Sequence, residues 1–220
     1  HIAGIYFDEN QEFFINSSYF LLHEMESSSF EAYIISCKNY IENAKNGIIK
    51  TDNASPFFQS PCIAIFMPVS SHTKSDSAVI LFSSEDLMEN FSNSSVNASF
   101  LVNDDGNVLV HSDFETMMNA TNVKSHSIVQ EMFASKNTNM QITYTNEQGE
   151  EYYGAFRKLA DVNCTVITEV KSAVILEAVR ATTRRNCYLT VAILCLCIII
   201  IRIFAKAIST PLRKLRSEER

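Results

Sequence analysis

There is no tryptophan in these 220 residues, and there are only five glycines and four prolines. So few glycines leave no phosphate-cradling loop, and no G-x-x-x-x-G-K-[ST] occurs. Positive charge is short as well. Eighteen Lys and Arg stand against 25 Asp and Glu, for a formal charge of -7, and no basic stripe interleaved with aromatics is visible, which argues against a nucleic-acid binder. The six cysteines have no zinc-site spacing. Cys37, Cys62 and Cys164 are far apart and permit at most one intrachain disulfide, while Cys187, Cys195 and Cys197 sit in or beside an apolar run. "HEMES" from His23 begins like H-E-x-x-H but has Ser27 where the second ligand should stand. No G-x-S-x-G occurs, and no histidine, cysteine and acid lie close enough in sequence to suggest a nucleophile. The acid pairs Asp8-Glu9, Asp104-Asp105 and Glu150-Glu151 fall at predicted turns, where solvated charge is normal. No catalytic residue, metal ligand or cofactor is expected.

Apolar residues make up 46% of the chain, enough for a packed core. In "FLVNDDGNVLVHSD", Phe100 to Asp113, the Asp105-Gly106 pair between β-branched-rich runs predicts a hairpin with a two-residue turn. That register sets Phe100 opposite His111 and Val102 opposite Leu109. Phe100, Val102, Leu109 and His111 would then share one face, and Leu101, Val108 and Val110 the other. A calcium loop fails, because Leu101 and Ser112 stand where ligands are needed. His111, alone on an apolar face, reads as a structural histidine. Seven Asn-x-Ser/Thr matches, Asn16, Asn93 and Asn119 among them, read as chance in so Asn- and Ser-rich a chain.

"CYLTVAILCLCIIII", Cys187 to Ile201, carries no charge, and "RIF" extends the apolar stretch to about eighteen residues, roughly enough to span hydrocarbon. Arg184 and Arg185 precede it; Arg202, Lys206, Arg213, Lys214 and Arg216 follow. More Lys and Arg on the C-terminal side predicts that this side is cytoplasmic, with the preceding residues outside. Nothing at His1 reads as a signal peptide or first span; one cut away, or a start beyond it, is expected.

Ahead of the apolar run, strand-like and helix-like segments recur in one order twice. "IAGIYF" and "EFFIN" flank the turn "DENQ"; "FEAYIISCKNYIENA" shows helical spacing at Phe30, Tyr33, Ile34, Cys37 and Ile41; "PCIAIFMPV" and "SAVILF" are strands. The hairpin from Phe100 then leads to the helical "SIVQEMFAS" and the strands "MQITYTN", "EEYYGAFRKL" and "CTVITEV", with a turn at Gln148-Gly149. This is the order of PAS-like α+β modules with antiparallel sheets. "SSEDLMENF" predicts a connecting helix capped by Ser83, with Asp86 completing a variant capping box. "SNSSVNAS" predicts a linker.

With this organisation in place, the chain resembles the double Cache sensor regions of bacterial receptors. "SPCIAIFMPV" with "SAVILFSSEDLMENF" resembles the close of a membrane-distal module, and "FLVNDDGNVLVHSD" the opening hairpin of a membrane-proximal one, ended by "YYGAFRKL" and "CTVITEV". "AISTPLRKLRSEER" resembles the start of a HAMP linker, with Ile208, Leu212 and Leu215 spaced for a coiled-coil seam. The resemblance implies a distal module at 1–90, lacking the family's long N-terminal helix. A proximal module with connecting helix follows at 91–182, a transmembrane helix at 183–206 and the HAMP start at 207–220. It further implies a small-molecule ligand, a parallel homodimer and a location in the cell membrane, with no nucleic-acid partner. Among outputs, the wording is most like adenylate/guanylate cyclases with Cache and HAMP segments; chemotaxis receptors share the same front end, and a non-signalling adhesion or scaffold ectodomain is the alternative. In amino-acid-binding members an aspartate holds the ligand amine, and Leu81 stands at that position here. With tryptophan also absent, ordinary amino-acid sensing is disfavoured. Tyr33, Tyr40, Phe57, Phe66 and Phe82 are the candidate pocket residues. Arg157 and Lys158 fit either an anion or a solvated strand end.

Overall fold

In the computed structural model the described residues are 1–70, 75–93, 97–146 and 148–218, with side chains excepted at 70, 75, 178 and 207–218. The expected linker falls partly outside them, as do the side chains of the Ile208, Leu212 and Leu215 seam. The first module runs β1 (Ile2–Phe7), β2 (Glu12–Ile15), α1 (Ser17–Leu22), α2 (Ser27–Ser36), α3 (Lys38–Lys45), β3 (Lys50–Asn53), α4 (Ser55–Phe58), β4 (Cys62–Ser70) and β5 (Ser75–Ser83). Helix α5 (Glu85–Ser92) leads into the second: β6 (Ala98–Asn103), β7 (Val108–His111), α6 (Phe114–Met118), α7 (Ser127–Ala134), β8 (Asn139–Thr145), β9 (Glu151–Leu159) and β10 (Cys164–Lys171). Helix α8 (Ser172–Glu218) follows with no intervening loop. Both sheets are antiparallel and share one plan, β2-β1-β5-β4-β3 and β7-β6-β10-β9-β8. The chain therefore has the expected tandem α+β architecture.

The helical stripe of the first module is buried at all five expected positions, Phe30, Tyr33, Ile34, Cys37 and Ile41. It lies on two helices rather than one, because the chain leaves helical geometry at Cys37 (φ -98°, ψ 24°). Pro68 is tolerated inside β4 because β3 pairs only with Ile63 to Phe66, so the proline has no neighbour on that side to bond. The connecting helix begins one residue later than expected, with Ser84 at the N-cap position and no capping bond from its side chain, while the Ser83 hydroxyl accepts from the Glu85 amide at 3.3 Å.

The Phe100 hairpin corrects a second expectation. Its loop is the three residues Asp104-Asp105-Gly106, closed by Gly106 N–H to Asn103 C=O at 3.1 Å and Asn103 N–H to Asn107 C=O at 3.0 Å, with only Gly106 left-handed (φ 83°). This is the type I turn with a following bulge. Phe100 faces His111 as expected, yet Val102 faces Val108 across a register shift. A one-residue slip exchanges faces. Val108 consequently joins Phe100 and Val102 in the core beneath α7, and Leu109 joins Leu101 and Val110 on the other side. The β8–β9 turn repeats the design, with Asn146 in the place of Asn103 and Gly149 (φ 79°) in that of Gly106.

Residues 1–172 form one compact unit and 173–220 another. Within the first unit the two modules share a core, in which Ile63, Phe82, Met88 and Phe91 pack with Leu101, Leu109, Val110 and Met117. Within the second, α8 contains a segment long and apolar enough to cross a membrane, judged by length and composition.

Candidate functional site

A cavity of about 390 Å³ opens in the first module between the β1–β2 hairpin and helices α2 and α3. The hairpin brings Tyr6, Asp8, Gln11 and Phe13; the helices bring Ile34 and Ile41 as an apolar floor and Glu31, Lys38, Glu42 and Lys45 as a charged rim. Alternation along β1 and β2 turns Tyr6 and Phe13 to the same side, where their rings meet at 4.6 Å. The Tyr6 hydroxyl donates to Asp8 Oδ1 at 3.2 Å, and Asp8 also pairs with Lys45. Burial, then Asp8, pushes the Tyr6 hydroxyl up to about 12, and the bond to Asp8 holds the Lys45 ammonium above the ordinary lysine range. Gln11 occupies the left-handed region (φ 54°) at the hairpin turn, where a glycine would be unstrained. Three carboxylates against two ammoniums, over an apolar floor, suit a small polar or charged ligand.

None of the five sequence-predicted aromatics lines this cavity. Tyr33, Phe57, Phe66 and Tyr40 do come together, with ring centroids 5.3 Å apart for Tyr33–Phe57, 6.5 Å for Tyr33–Phe66 and 5.2 Å for Tyr40–Phe66. Phe82 lies on the opposite face of the sheet, in the core shared by the modules. The Tyr33 hydroxyl donates to Asp52 Oδ2 at 2.7 Å. Burial holds the Asp52 carboxyl above the usual carboxylate range against the stabilising bonds from Tyr33 and the Asn53 amide. Burial and Asp52 likewise push Tyr40 up to about 12. Leu81 is fully buried. The cavity residues carried one legible signal, the polar positions Glu31, Lys38, Glu42 and Lys45 flanking the buried helical stripe; the hairpin side had none.

In the second module His111 packs on Phe100 (5.5 Å between centroids), and its Nδ1 accepts from the Asp113 amide at 2.8 Å. Burial lowers its pKa despite Asp113. Lys158 donates to the Ser135 carbonyl at 2.6 Å, while Arg157 is exposed on the strand. A second cavity, about 400 Å³, is bordered by Asn122, Ser125, His126, Asn146, Gln148 and Tyr152. Among the described residues no three His, Cys, Asp or Glu gather as a metal requires, and all six cysteines are free. Burial raises the Cys37 and Cys62 thiols and takes Cys164 up to about 11, far from a reactive thiolate.

The fold and its roofed cavity define a tandem α+β module pair. The chain is similar to the ligand-binding domain of Mlp24 with asparagine (13% identity over 81% of this chain and 71% of that chain, TM-score 0.48). It is also similar to the extracellular domain of rpHK1S-Z16, a protein assigned to the histidine kinases (12% identity, 79% and 71%, TM-score 0.47). A third similarity is to the ligand-binding domain of the Pseudomonas fluorescens chemoreceptor CtaA in complex with L-serine (17% identity, 78% and 74%, TM-score 0.46). No family model and no curated protein matches the chain.

Proposed function

We propose that this chain is the extracytoplasmic ligand-sensing input region of a transmembrane signalling receptor. The observation that carries the reading is the cavity between the β1–β2 hairpin and α2/α3, joined in one chain to an apolar helix that starts directly after the last strand, β10. The first module is membrane-distal and holds a small ligand over Ile34 and Ile41. The second is membrane-proximal, and 183–206 spans the membrane with the C-terminal side cytoplasmic. The HAMP-like "ISTPLRKL" favours signalling over an adhesion or scaffold role, and the wording of the second module favours an adenylate/guanylate cyclase output, with a chemotaxis receptor as the other. The receptor works as a parallel homodimer. Leu81 removes the usual amine anchor, so recognition falls to Asp8, Glu31 and Glu42, with Lys38 and Lys45 beside them on the rim.

No glycine or proline interrupts Lys171 to Ile201, so β10 feeds a stiff helix. A ligand moves such a switch only by its difference in affinity between two states, and a factor of ten corresponds to about 1.4 kcal/mol. The test is signalling output of the full-length receptor with one, three or seven residues inserted between Glu177 and Thr183. One residue turns everything below it by about 100°, and seven make close to two turns. Output should change with one and three and largely return with seven. Equal output and ligand response at every length would sink the rigid-helix mechanism and give weight to the scaffold reading.

A further inference from the structure

Strand β3 was invisible in the sequence, "KTDN" being as polar as a loop, and both of its faces are occupied. One side meets the helices. Asp52 accepts from Tyr33 on α2, and Tyr33 is buried among Phe57, Phe58 and Phe66. The other side meets the second module. Asn53, only 6% exposed, donates through Nδ2 to the carbonyls of Val108 (2.9 Å) and Met117 (2.7 Å), while its Oδ1 accepts from the Ser55 amide at 3.0 Å. The Thr51 hydroxyl donates to the Val162 carbonyl, and the Thr51 carbonyl accepts from Asn103 Nδ2 at 3.0 Å. Asn103, 2% exposed, is the same residue whose Oδ1 holds the amides of Asp105 (3.1 Å) and Asn107 (2.9 Å) in the β6–β7 turn. Lys50 adds an ion pair to Asp104 at 2.5 Å.

We propose that β3 is the coupling strand between the modules, carrying any displacement of α2 through Tyr33 and Asp52 to Thr51 and Asn53, and from there to the β6–β7 hairpin. The physical reason is the alternation of a strand. Asp52 and its two neighbours share one short stretch of backbone and point to opposite faces, so that one cannot shift without the others. The polar seam suits a switch better than an apolar one would. Buried amides bonded at fixed angles have few alternative arrangements, so a shift on one side is passed on to the other. The same helix that presents Tyr33 to Asp52 presents Ile34 to the cavity floor. In that respect the inference rests on the proposed ligand site, but β3 can be tested with no ligand present, so the two readings fail separately.

The test is hydrogen exchange of the full chain in detergent micelles, read at the amides of Asp105, Gly106 and Asn107, all of which bond to Asn103. Tyr33→Phe removes one hydroxyl in the other module. It should speed exchange at these three amides at least about threefold, and should add nothing in a Thr51→Val or Asn53→Ala background, since coupled sites are non-additive. Thr51→Val is nearly isosteric and serves if Asn53→Ala does not fold. Ile15→Ala, on β2 at the opposite edge of the same sheet, weakens the same core without touching β3 and should leave the three amides at the wild-type rate. Multiplicative independent effects, no effect of Tyr33→Phe on the turn, or an equal effect of Ile15→Ala would each overturn the proposal.

Discussion

The two modules have one strand order and two interiors. The first is filled with aromatics, Tyr6, Phe20, Phe30, Tyr33, Phe58 and Phe66, beneath two helices set against a hairpin. The second is filled chiefly with aliphatics, Val102, Val108, Ile128, Val129, Met132 and Ile167, beneath the single helix α7. Cavities of similar size open in both, about 390 Å³ beside Tyr6 and Phe13 in the first and about 400 Å³ beside His126 and Tyr152 in the second. Their linings differ: the first is rimmed by three carboxylates and two ammoniums over Ile34 and Ile41, the second by amides, hydroxyls and His126. The comparison teaches that topology is shared through hairpins and register, while the chemistry of each cavity is set by the loops and helices that line it.

Each module also has a glycine that lets its helix approach the sheet, and these glycines give the largest expected effect. A Cβ at Gly154 would stand 2.3 Å from Ile128 Cδ1 and 3.0 Å from Tyr144 Cε1; at Gly4 it would meet Phe30 at 2.8 Å. Gly154→Ala should destabilise by about 2 kcal/mol and Gly4→Ala by about 1, within the range for overpacking. Urea unfolding of both variants measures this. Equal costs would mean that the aromatic roof is as tightly packed as the aliphatic one.

The modules should also differ in their response to acid. Asp52 is raised in the folded first module, so the folded chain keeps its proton at pH values where the unfolded carboxyl, near 3.8, has lost it. That contribution to stability grows as pH falls through the window above 3.8 and is absent above the raised value. Asp113, which caps α6, is lowered chiefly by the Thr116 hydroxyl and amide, so its contribution is present above about 3.8 and is lost as pH falls through the lowered value. Stability measured from pH 3 to 7 should therefore lose its rise on mild acidification in Asp52→Asn, and lose part of its fall at the acid end in Asp113→Asn. Identical pH profiles for wild type and Asp52→Asn would show that the buried carboxyl is not linked to folding.

The smallest expected effect concerns the hairpin turns. Gly106 and Gly149 take the left-handed position in the second module, and Gln11 takes the corresponding position in the first. Gln11→Gly should stabilise by about 0.5 kcal/mol, the gain from relieved strain being partly offset by backbone entropy, whereas Gly149→Ala, with nothing near its Cβ, should cost about 1 kcal/mol. Thermal denaturation of the pair checks the signs. A neutral Gln11→Gly would remove the idea that strain is stored at the cavity's edge.

Much of this fold was legible. The strands with β-branched or aromatic alternation, the glycine turns, the helical stripe from Phe30 to Ile41 and the apolar run in α8 all stand where residue spacing put them, because period and turn preference act over a few neighbouring residues. Parity was less legible. One bulge in the Phe100 hairpin moved Val108 and Leu109 to faces opposite those expected, and register alone separates Phe82 from Phe66. The hairpin side of the cavity and β3 could not be read: Asp8 meets Lys45, Tyr33 meets Asp52, and Thr51 meets Val162 across separations of 19 to 111 residues. By itself the sequence determined which segments are strands, helices and turns, since those choices are made by local sterics and hydrophobic period. Only the tertiary structure decided which aromatic faces which, where the cavity opens and what "KTDN" touches, since those depend on contacts between residues that no local pattern relates.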